Sequence, residues 1–280
     1  AWPGMYRRAA TAVGGTLLAA RMTMAGDLGH AFNPAGGLHH AQLDRASGFC
    51  IFNDIVIDVR VLQREFGLTR IAVVDVDGHH GDGTQALLYD EPILTISLHQ
   101  YDGRFYPGTG RVDEIGRGAG QGYSVNVPLP RRVGDATYLA AFDAVVPQLL
   151  RAYRPEFIFV QFGTDAHMGD PLVGLSLTTR AYAGLARRFH ALGHELSRGR
   201  LLFLGGGGYN PSSVARCWAI LMAILTGDLT DDTRPPYVAL LDEQAPTEEP
   251  GVGQSVASAV DQVRAQVFPY FGLPTTAPSF

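Results

Sequence analysis

The segment Ile71-Ala-Val-Val-Asp-Val-Asp-Gly-His-His-Gly-Asp82 decides the fold, because an apolar strand pattern passes directly into a cluster of reactive side chains. Its continuous apolar run is typical of a parallel strand that helices cover on both faces. Asp75 and Asp77 follow two positions apart, so we expect both on the same face of the strand end. Two imidazoles come next, where the chain leaves the sheet. The segment therefore predicts a strand that carries a polar site at its carboxyl end.

Short apolar runs alternate with longer helical patterns along the rest of the chain. This rhythm predicts an α/β fold in which a central, mainly parallel sheet lies between layers of helices, all within one domain over residues 1–280. The predicted strands are 30–33, 71–76, 93–98, 157–162 and 201–204, and the predicted helices are 5–25, 53–66, 135–153, 179–196, 212–225 and 254–267. Residues 100–132 are rich in Gly and Pro, which predicts a long functional loop.

Composition excludes several classes of protein. The 280 residues are 46% hydrophobic and 18% charged, which is typical of a compact domain with a large core. With 22 basic and 27 acidic residues and no basic block, no direct nucleic-acid partner is expected. The apolar run 219–225 is far shorter than the roughly 20 residues of a membrane span, so no membrane partner is expected. Cys50 and Cys217 lie in apolar surroundings, which indicates buried thiols and a cytoplasmic location.

Reactive side chains follow the predicted strands one after another. They are His39 and His40 after the first strand, residues 75–82 around the end of the second, His99 after the third, Asp165 after the fourth and Tyr209 after the fifth. Ligands bind beyond the carboxyl ends of the strands in open α/β sheets. These segments are therefore expected to line one crevice.

Carboxylate and imidazole side chains in this crevice predict a metal site. Asp77 and His79 offer the oxygen and nitrogen donors of a catalytic zinc or ferrous site, and Asp165 is the best candidate for a third ligand. In the alternative interpretation, Asp75 and Asp77 cap a turn and the histidines lie at the surface. Two buried carboxylates without a cation would cost on the order of several kcal/mol, which favours the metal site.

The tandem histidines His39 and His40 are ordinary in a loop, but beside a metal site they gain a role. Histidine carries protons near neutral pH, and the remaining carboxylates, Asp75 and Asp82, are suited to fix the tautomer of each ring. Two His–Asp pairs are therefore predicted.

The glycine run at residues 205–208 precedes Tyr209 and Asn210. It lacks the Lys-Ser/Thr of a phosphate-binding loop, so we reject a nucleotide site. Four glycines allow the backbone to approach the site closely, and a tyrosine hydroxyl is a suitable donor to a developing oxyanion. In the alternative interpretation Tyr209 is a packing residue.

Seven segments together resemble the zinc-dependent histone deacetylase family, of the arginase-deacetylase fold, and within it the bacterial acetoin utilization (AcuC-like) branch. They occur in the family order at residues 35–41, 46–50, 75–83, 96–99, 105–110, 163–171 and 205–210. The resemblance covers essentially the whole chain.

The resemblance implies a role for each site residue. It implies that Asp77, His79 and Asp165 bind zinc. It implies that His40, oriented by Asp82, is the general acid and base, and that His39 acts electrostatically with Asp75. Tyr209 is implied to polarise the substrate carbonyl. The implied substrate tunnel is lined by Gly48, Phe49, Tyr106 and Gly207, with Leu172 at its rim. A structural potassium ion is implied near Asp75, Asp77, His79, Ser97 and Leu98.

The implied activity is hydrolysis of acetyl groups from the ε-amine of lysine in proteins, with zinc or ferrous iron and no organic cofactor. One alternative is a deacetylase of small acetylated amines such as acetylpolyamines, which would be expected to carry an acidic residue where this chain has Leu172. A second alternative is a zinc-binding pseudoenzyme that does not turn over.

The chain departs from the family pattern at three places. Gly78 and Tyr106 stand where the family usually has a larger apolar residue and a phenylalanine. The family also has further residues, including the first strands of the sheet, before the point that matches Gly4. We therefore expect an N-terminally shortened domain, either a fragment or a natural shortened form, with an exposed strand edge at residues 31–33. Such a chain is expected to form a dimer or larger assembly through this edge, or else to be unstable alone.

Overall fold

The computed structural model describes residues 2–229 and 236–276, and these contain a six-stranded sheet. The strands are β1 His30–Asn33, β2 Ile71–Asp75, β3 Leu94–Gln100, β4 Ser124–Leu129, β5 Phe157–Gln161 and β6 Leu201–Leu204. Their order is β1-β6-β5-β2-β3-β4, and all five pairings are parallel. The carboxyl ends of all six strands therefore lie at one edge of the sheet.

Helices cover both faces of this sheet. They are α1 Met5–Ala25, α2 Asp54–Phe66, α3 Asp82–Leu88, α4 Asp135–Tyr153, α5 Thr179–Leu196, α6 Pro211–Leu225 and α7 Val252–Val267, with short 3₁₀ helices at Gly118–Gly120, Tyr237–Leu240 and Phe268–Phe271. Side-chain caps start three of them: the side chains of Asn53, Thr178 and Asn210 accept hydrogen bonds from backbone amides in the first turns of α2, α5 and α6.

Alternate residues of each central strand point into separate cores. Ile71 and Val73 pack with α1 and α2 on one face, whereas Ala72 and Val74 belong to the larger core under α4 to α7 on the other. This alternation explains why the central strands are apolar throughout. The predicted three-layer α/β architecture is confirmed.

The strand β4 and the helix α3 were absent from the sequence-based prediction. The predicted loop at residues 100–132 contains β4, so that part of the prediction is wrong. β4 alternates polar and apolar residues and contains Pro128. Proline in a short run argues against a strand in the sequence, but an edge strand such as β4 tolerates it. The short helix α3 begins at Asp82, directly after the reactive cluster.

Two predictions from composition can be compared with the structure. Cys50 and Cys217 are both buried free thiols, as predicted. Among the described residues, no helix combines the length and hydropathy that crossing a membrane requires.

Candidate active site

Three side chains beyond the carboxyl ends of β2 and β5 form a compact cluster of metal-ligand type. The ligand atoms of Asp77, His79 and Asp165 all lie within 4.8 Å of one another. His79 Nδ1 is 2.8 Å from Asp165 Oδ2 and 3.2 Å from Asp77 Oδ1. Both carboxylates are fully buried. The fold therefore brings together the three residues that the sequence indicated as ligands.

The surroundings of this cluster fit a cation. A Cβ at Gly163 would lie 2.0 Å from Asp77 Oδ2, and a Cβ at Gly207 would lie 2.4 Å from Asp165 Oδ2, so only glycine leaves this space open. Burial and the charge of Asp77 raise the pKa of Asp165, because two adjacent buried carboxylates resist ionising together. A divalent cation between Asp77 and Asp165 would offset the repulsion between the two negative charges. Two carboxylates and one imidazole also leave an open coordination position, as in catalytic sites.

Two histidines beside the cluster each bind a carboxylate. His39 Nδ1 is 2.7 Å from Asp75 Oδ2, and His40 Nδ1 is 2.6 Å from Asp82 Oδ1. Because a carboxylate accepts hydrogen bonds, each ring donates from Nδ1. The two Nε2 atoms then face each other at 3.1 Å. Both predicted His–Asp pairs are present in the structure.

The two rings differ in protonation because their neighbours differ. Burial opposes a charge on His39, but the carboxylates of Asp75 and Asp77 outweigh burial and raise its pKa to about 9. Burial and then the charge of His39 lower the pKa of His40 to about 4. His39 is therefore an imidazolium near pH 7, whereas His40 is neutral and keeps a lone pair on Nε2.

The cluster lies below a pocket of about 610 Å³ that opens to the surface. The pocket is lined by His40, Gly48, Phe49, His79, Arg104, Phe105, Tyr106, Leu172 and Tyr209. A deeper cavity of about 190 Å³ includes Gly207 and Asp77. All the predicted tunnel residues therefore lie along one path from the surface to the cluster, with Phe49 and Leu172 exposed at its mouth.

Tyr209 lies on the wall of this pocket, with its ring centre 6.5 Å from that of His79. Burial and the charges of Asp77 and Asp165 raise the pKa of Tyr209, so its hydroxyl stays protonated. The Tyr209 amide donates to Asp170 Oδ2 at 2.8 Å, which anchors the backbone of this segment. The hydroxyl is therefore available as a hydrogen-bond donor.

Tyr106 and Gly78, the two residues that depart from the family pattern, each have a local partner. The Tyr106 hydroxyl is 2.7 Å from Ser47 Oγ, a contact that a phenylalanine would lose. A Cβ at Gly78 would lie 2.6 Å and 2.8 Å from the two methyl carbons of Val173. Val173 therefore fills the space that a larger residue at position 78 would need.

Three of the five residues of the predicted potassium site lie on the adjacent strands β2 and β3. Asp75 and Ser97 are paired in register across β2 and β3, and Leu98 follows in β3. Ser97 Oγ is 2.9 Å from His99 Nδ1, and the Leu98 carbonyl accepts a 3.5 Å hydrogen bond from Tyr138. Asp75, Ser97 and Leu98 are therefore neighbours in the sheet, and Asp77 and His79 follow β2 along the chain.

Two of the histidines that the sequence placed in the crevice lie outside it. His99 is a buried residue inside β3, not after it, and its ring contacts the Gly110 carbonyl at 3.0 Å. His80 contacts Thr109 Oγ1 at 2.8 Å and Gln85 Oε1 at 3.2 Å. Of the tandem pair, only His79 belongs to the metal-ligand cluster, because consecutive side chains leave the backbone in different directions.

Sequence reasoning missed other residues of the site. Gln161, at the end of β5, donates to Asp77 Oδ2 at 2.8 Å, and its amide group in an apolar strand was the available signal. Phe105 stacks on His79 with ring centres 5.1 Å apart. Arg104 lines the outer pocket, and nothing in the sequence pattern indicated its position.

Comparison with known proteins shows the family of this chain. The sequence profile of the Histone deacetylase domain matches residues 1–225. The chain belongs to the histone deacetylase family. The resemblance inferred from the sequence motifs is thereby confirmed.

Curated members of the histone deacetylase family align with most of this chain. The acetoin utilization protein AcuC of Bacillus subtilis (strain 168) is 38% identical over 88% of this chain and 64% of its own length. Histone deacetylase 8 of Xenopus tropicalis is 40% identical over 84% of this chain and 62% of its own length. Histone deacetylase 8 of Danio rerio is 38% identical, with 60% of its length covered. The chain therefore spans a little over three fifths of the length of these relatives.

Proposed function

We propose that this chain is a metal-dependent deacetylase that hydrolyses the acetyl amide on the ε-amine of lysine in proteins. The observation that carries the proposal is that a metal-ligand cluster, Asp77, His79 and Asp165, lies beside a neutral histidine below a largely apolar pocket. Such a site has the parts that hydrolysis of an unactivated amide requires: an electrophile, a general base and an oxyanion donor.

Asp77, His79 and Asp165 would hold Zn²⁺, or Fe²⁺, which prefers the same donors. When bound, the cation supplies Lewis-acid polarisation of the amide carbonyl and lowers the pKa of the attacking water. Gln161 and the Gly207 amide both donate to Asp77 Oδ2, at 2.8 Å and 2.7 Å, and so hold that carboxylate in place. Buried support of this kind orients ligands.

Proton transfer is assigned to His40. Asp82 accepts its Nδ1–H, so the basic lone pair lies on Nε2, where a proton from the attacking water would replace the hydrogen bond from the His39 Nε2–H. The imidazolium that results then donates this proton to the leaving amine. His39 is already charged, which suits it to stabilise negative charge and not to accept a proton.

Stabilisation of the oxyanion is assigned to the Tyr209 hydroxyl, which stays protonated at neutral pH. Gly48, Phe49 and Tyr106 provide the walls for an aliphatic lysine stem. The apolar Leu172 at the rim favours acyl-lysine over a cationic acetylpolyamine, because no carboxylate stands at that position to attract a second amine. Hydrolysis of small acetylated amines is the second candidate.

Other parts of the proposal concern the ion, location and assembly. The oxygen-rich surroundings of Asp75, Ser97 and Leu98 support a structural K⁺. The buried free thiols Cys50 and Cys217 support a reducing, cytoplasmic location. The substrates would be acetylated lysine side chains, and the partner in any assembly would be a second copy of the chain.

The test is metal analysis combined with hydrolysis of an acetyl-lysine peptide and of an acetylpolyamine. We expect the peptide to be hydrolysed faster, and we expect Asp77→Asn to lose both the metal and the activity. Asp44→Asn makes the same chemical change at an exposed position and is the matched control. A chain that binds zinc stoichiometrically but hydrolyses neither substrate would contradict the proposal and identify a pseudoenzyme.

A further inference from the structure

Three histidines converge at the opposite end of the sheet from the candidate active site. His30 is the first residue of β1, whereas His190 and His194 lie one turn apart on α5. The ring centres of every pair among the three are 4.7 Å apart. One ligand atom of each histidine lies within 4.8 Å of those of the other two. This group, called here the trihistidine cluster, shares no residue with the site described above.

The three histidines cannot satisfy all of their ring nitrogens by hydrogen bonds to one another. His30 Nδ1 is 2.8 Å from the Gly199 carbonyl, so Nδ1 carries the proton and the neutral ring has a lone pair on Nε2. His194 Nε2 is 3.1 Å from this atom and 3.0 Å from His190 Nε2. A ring nitrogen has either one N–H or one lone pair. His194 Nε2 can therefore form a linear hydrogen bond with only one of its two neighbours.

A metal ion resolves this conflict. Three neutral rings that direct their Nε2 lone pairs to one point form a three-imidazole ligand set, which suits zinc, copper and nickel ions. Ligands of a tetrahedral zinc ion with bonds near 2.0 Å lie roughly 3.3 Å apart. The distances from His194 Nε2 to the other two Nε2 atoms, 3.1 Å and 3.0 Å, are close to this value. The bond from His30 Nδ1 to a carbonyl is the usual outer support of a metal-bound histidine.

Burial and access also fit such a site. His30 and His190 are partly buried, and His194 is exposed, so an ion can enter from solvent. Burial lowers the pKa of His30 and of His190, which favours the neutral, ligating form of both rings. We propose that His30, His190 and His194 bind a second divalent transition-metal ion that links the edge strand β1 to α5.

The first test counts metal in the intact chain. After loading with Zn²⁺ and desalting, we expect two equivalents per chain by mass spectrometry of the metal, with one lost in His194→Ala and the other lost independently in Asp77→Asn. Glu195→Gln, an exposed neighbour on α5, is the matched control and keeps both. A single equivalent in the parent chain that Asp77→Asn removes would overturn the inference without affecting the proposed function.

The second test separates a three-ligand site from an ordinary helical histidine pair. His30→Gln keeps a polar side chain of similar size but removes the third imidazole. We expect it to weaken Zn²⁺ binding at this site at least about tenfold, because even the loss of an outer-shell partner typically costs 10–100-fold. An unchanged affinity in a folded His30→Gln chain would show that only His190 and His194 bind the ion, and the inference would be wrong.

Discussion

Two adjacent and chemically identical residues, His39 and His40, receive different properties from their partners. His39 lies among the charges of Asp75 and Asp77, whereas His40 contacts Asp82 and is repelled by the charge on His39. The resulting pair holds one imidazolium and one neutral ring. The different roles proposed for the two rings, a base at His40 and a fixed charge at His39, therefore follow from local electrostatics. The two rings titrate as a coupled pair.

Replacement of Tyr209 by phenylalanine tests the oxyanion assignment. Loss of one preorganised donor is expected to lower kcat about 10²- to 10³-fold, because it removes about 3 to 4 kcal/mol of transition-state stabilisation. Bound metal, measured by mass spectrometry, is expected to stay unchanged. Tyr270→Phe, at an exposed position, is the control. Hydrolysis of acetyl-lysine by Tyr209→Phe at the parent rate would remove this hydroxyl from the mechanism.

A double-mutant cycle tests the packing of Gly78 against Val173. Gly78→Ala is expected to lower the free energy of unfolding by about 1 to 3 kcal/mol, because the added Cβ would lie 2.6 Å from a Val173 methyl carbon. Val173→Ala removes both methyl groups, so the double variant is expected to recover much of that loss. Denaturant unfolding measures all four proteins. Additive effects of the two substitutions would show that these residues do not compete for one space.

At the scale of an element, α2 carries two buried carboxylates one turn apart. Asp54 is satisfied by the Thr16 hydroxyl and by the amides of Gly37 and Leu38. Asp58 has no hydrogen-bond partner within the described residues. Burial and then the charge of Asp54 raise the pKa of Asp58 to about 8. The helix therefore contains one acid that folding keeps protonated.

This acid predicts a pH dependence of stability. Asp58 titrates near pH 4 in the unfolded chain and near pH 8 in the folded chain, so between these values the folded state binds more protons. The free energy of unfolding is therefore expected to fall by up to about 5 kcal/mol as the pH rises from about 4 to about 8. Above pH 8 this contribution is expected to stay constant.

Asp58→Asn is expected to reduce this slope, because asparagine does not ionise. Urea unfolding of parent and variant at pH 5, 6.5 and 8 measures the difference, and the exposed Asp261→Asn is the control. Equal slopes for the parent and Asp58→Asn would show that Asp58 ionises freely in the folded chain.

At the scale of the whole molecule, the two edges of the sheet differ. β4 carries Pro128, and α7 packs against it. Among the described strands, β1 pairs only with β6, while Asn33 binds α1 through the Ala12 carbonyl and Thr16. The backbone N–H and C=O groups on the outer edge of β1 have no strand partner among the described residues. Edge pairing with another chain is therefore favoured at β1 over β4.

We expect this 280-residue chain to form dimers through β1. Light scattering coupled to gel filtration is expected to give a mass near twice 30.1 kDa at micromolar concentration, decreasing on dilution. A single species of 30.1 kDa at every concentration would show that the β1 edge is self-sufficient.

Local sequence signals were enough to predict the layer architecture and the main candidate residues of the site. The apolar runs at β2, β5 and β6 and the helical periods between them are local signals. The reactive carboxylates Asp75 and Asp77 stand at the end of β2 in the sequence, so the predicted strand also gives their position. Parallel strands present their carboxyl ends at one edge, so Asp77, Asp165 and Tyr209 were predicted to meet although they are far apart in the chain.

Features that depend on contacts between distant residues could be seen only in the folded chain. β4 becomes a strand through its pairing with β3, since its own residues have weak strand preference around Pro128. His79 and His80 are adjacent, but only the first faces Asp165. His30 lies 160 positions before His190, and no local pattern relates them. Side-chain direction and long-range packing determine such sites, and neither is encoded in the spacing of residues along the chain.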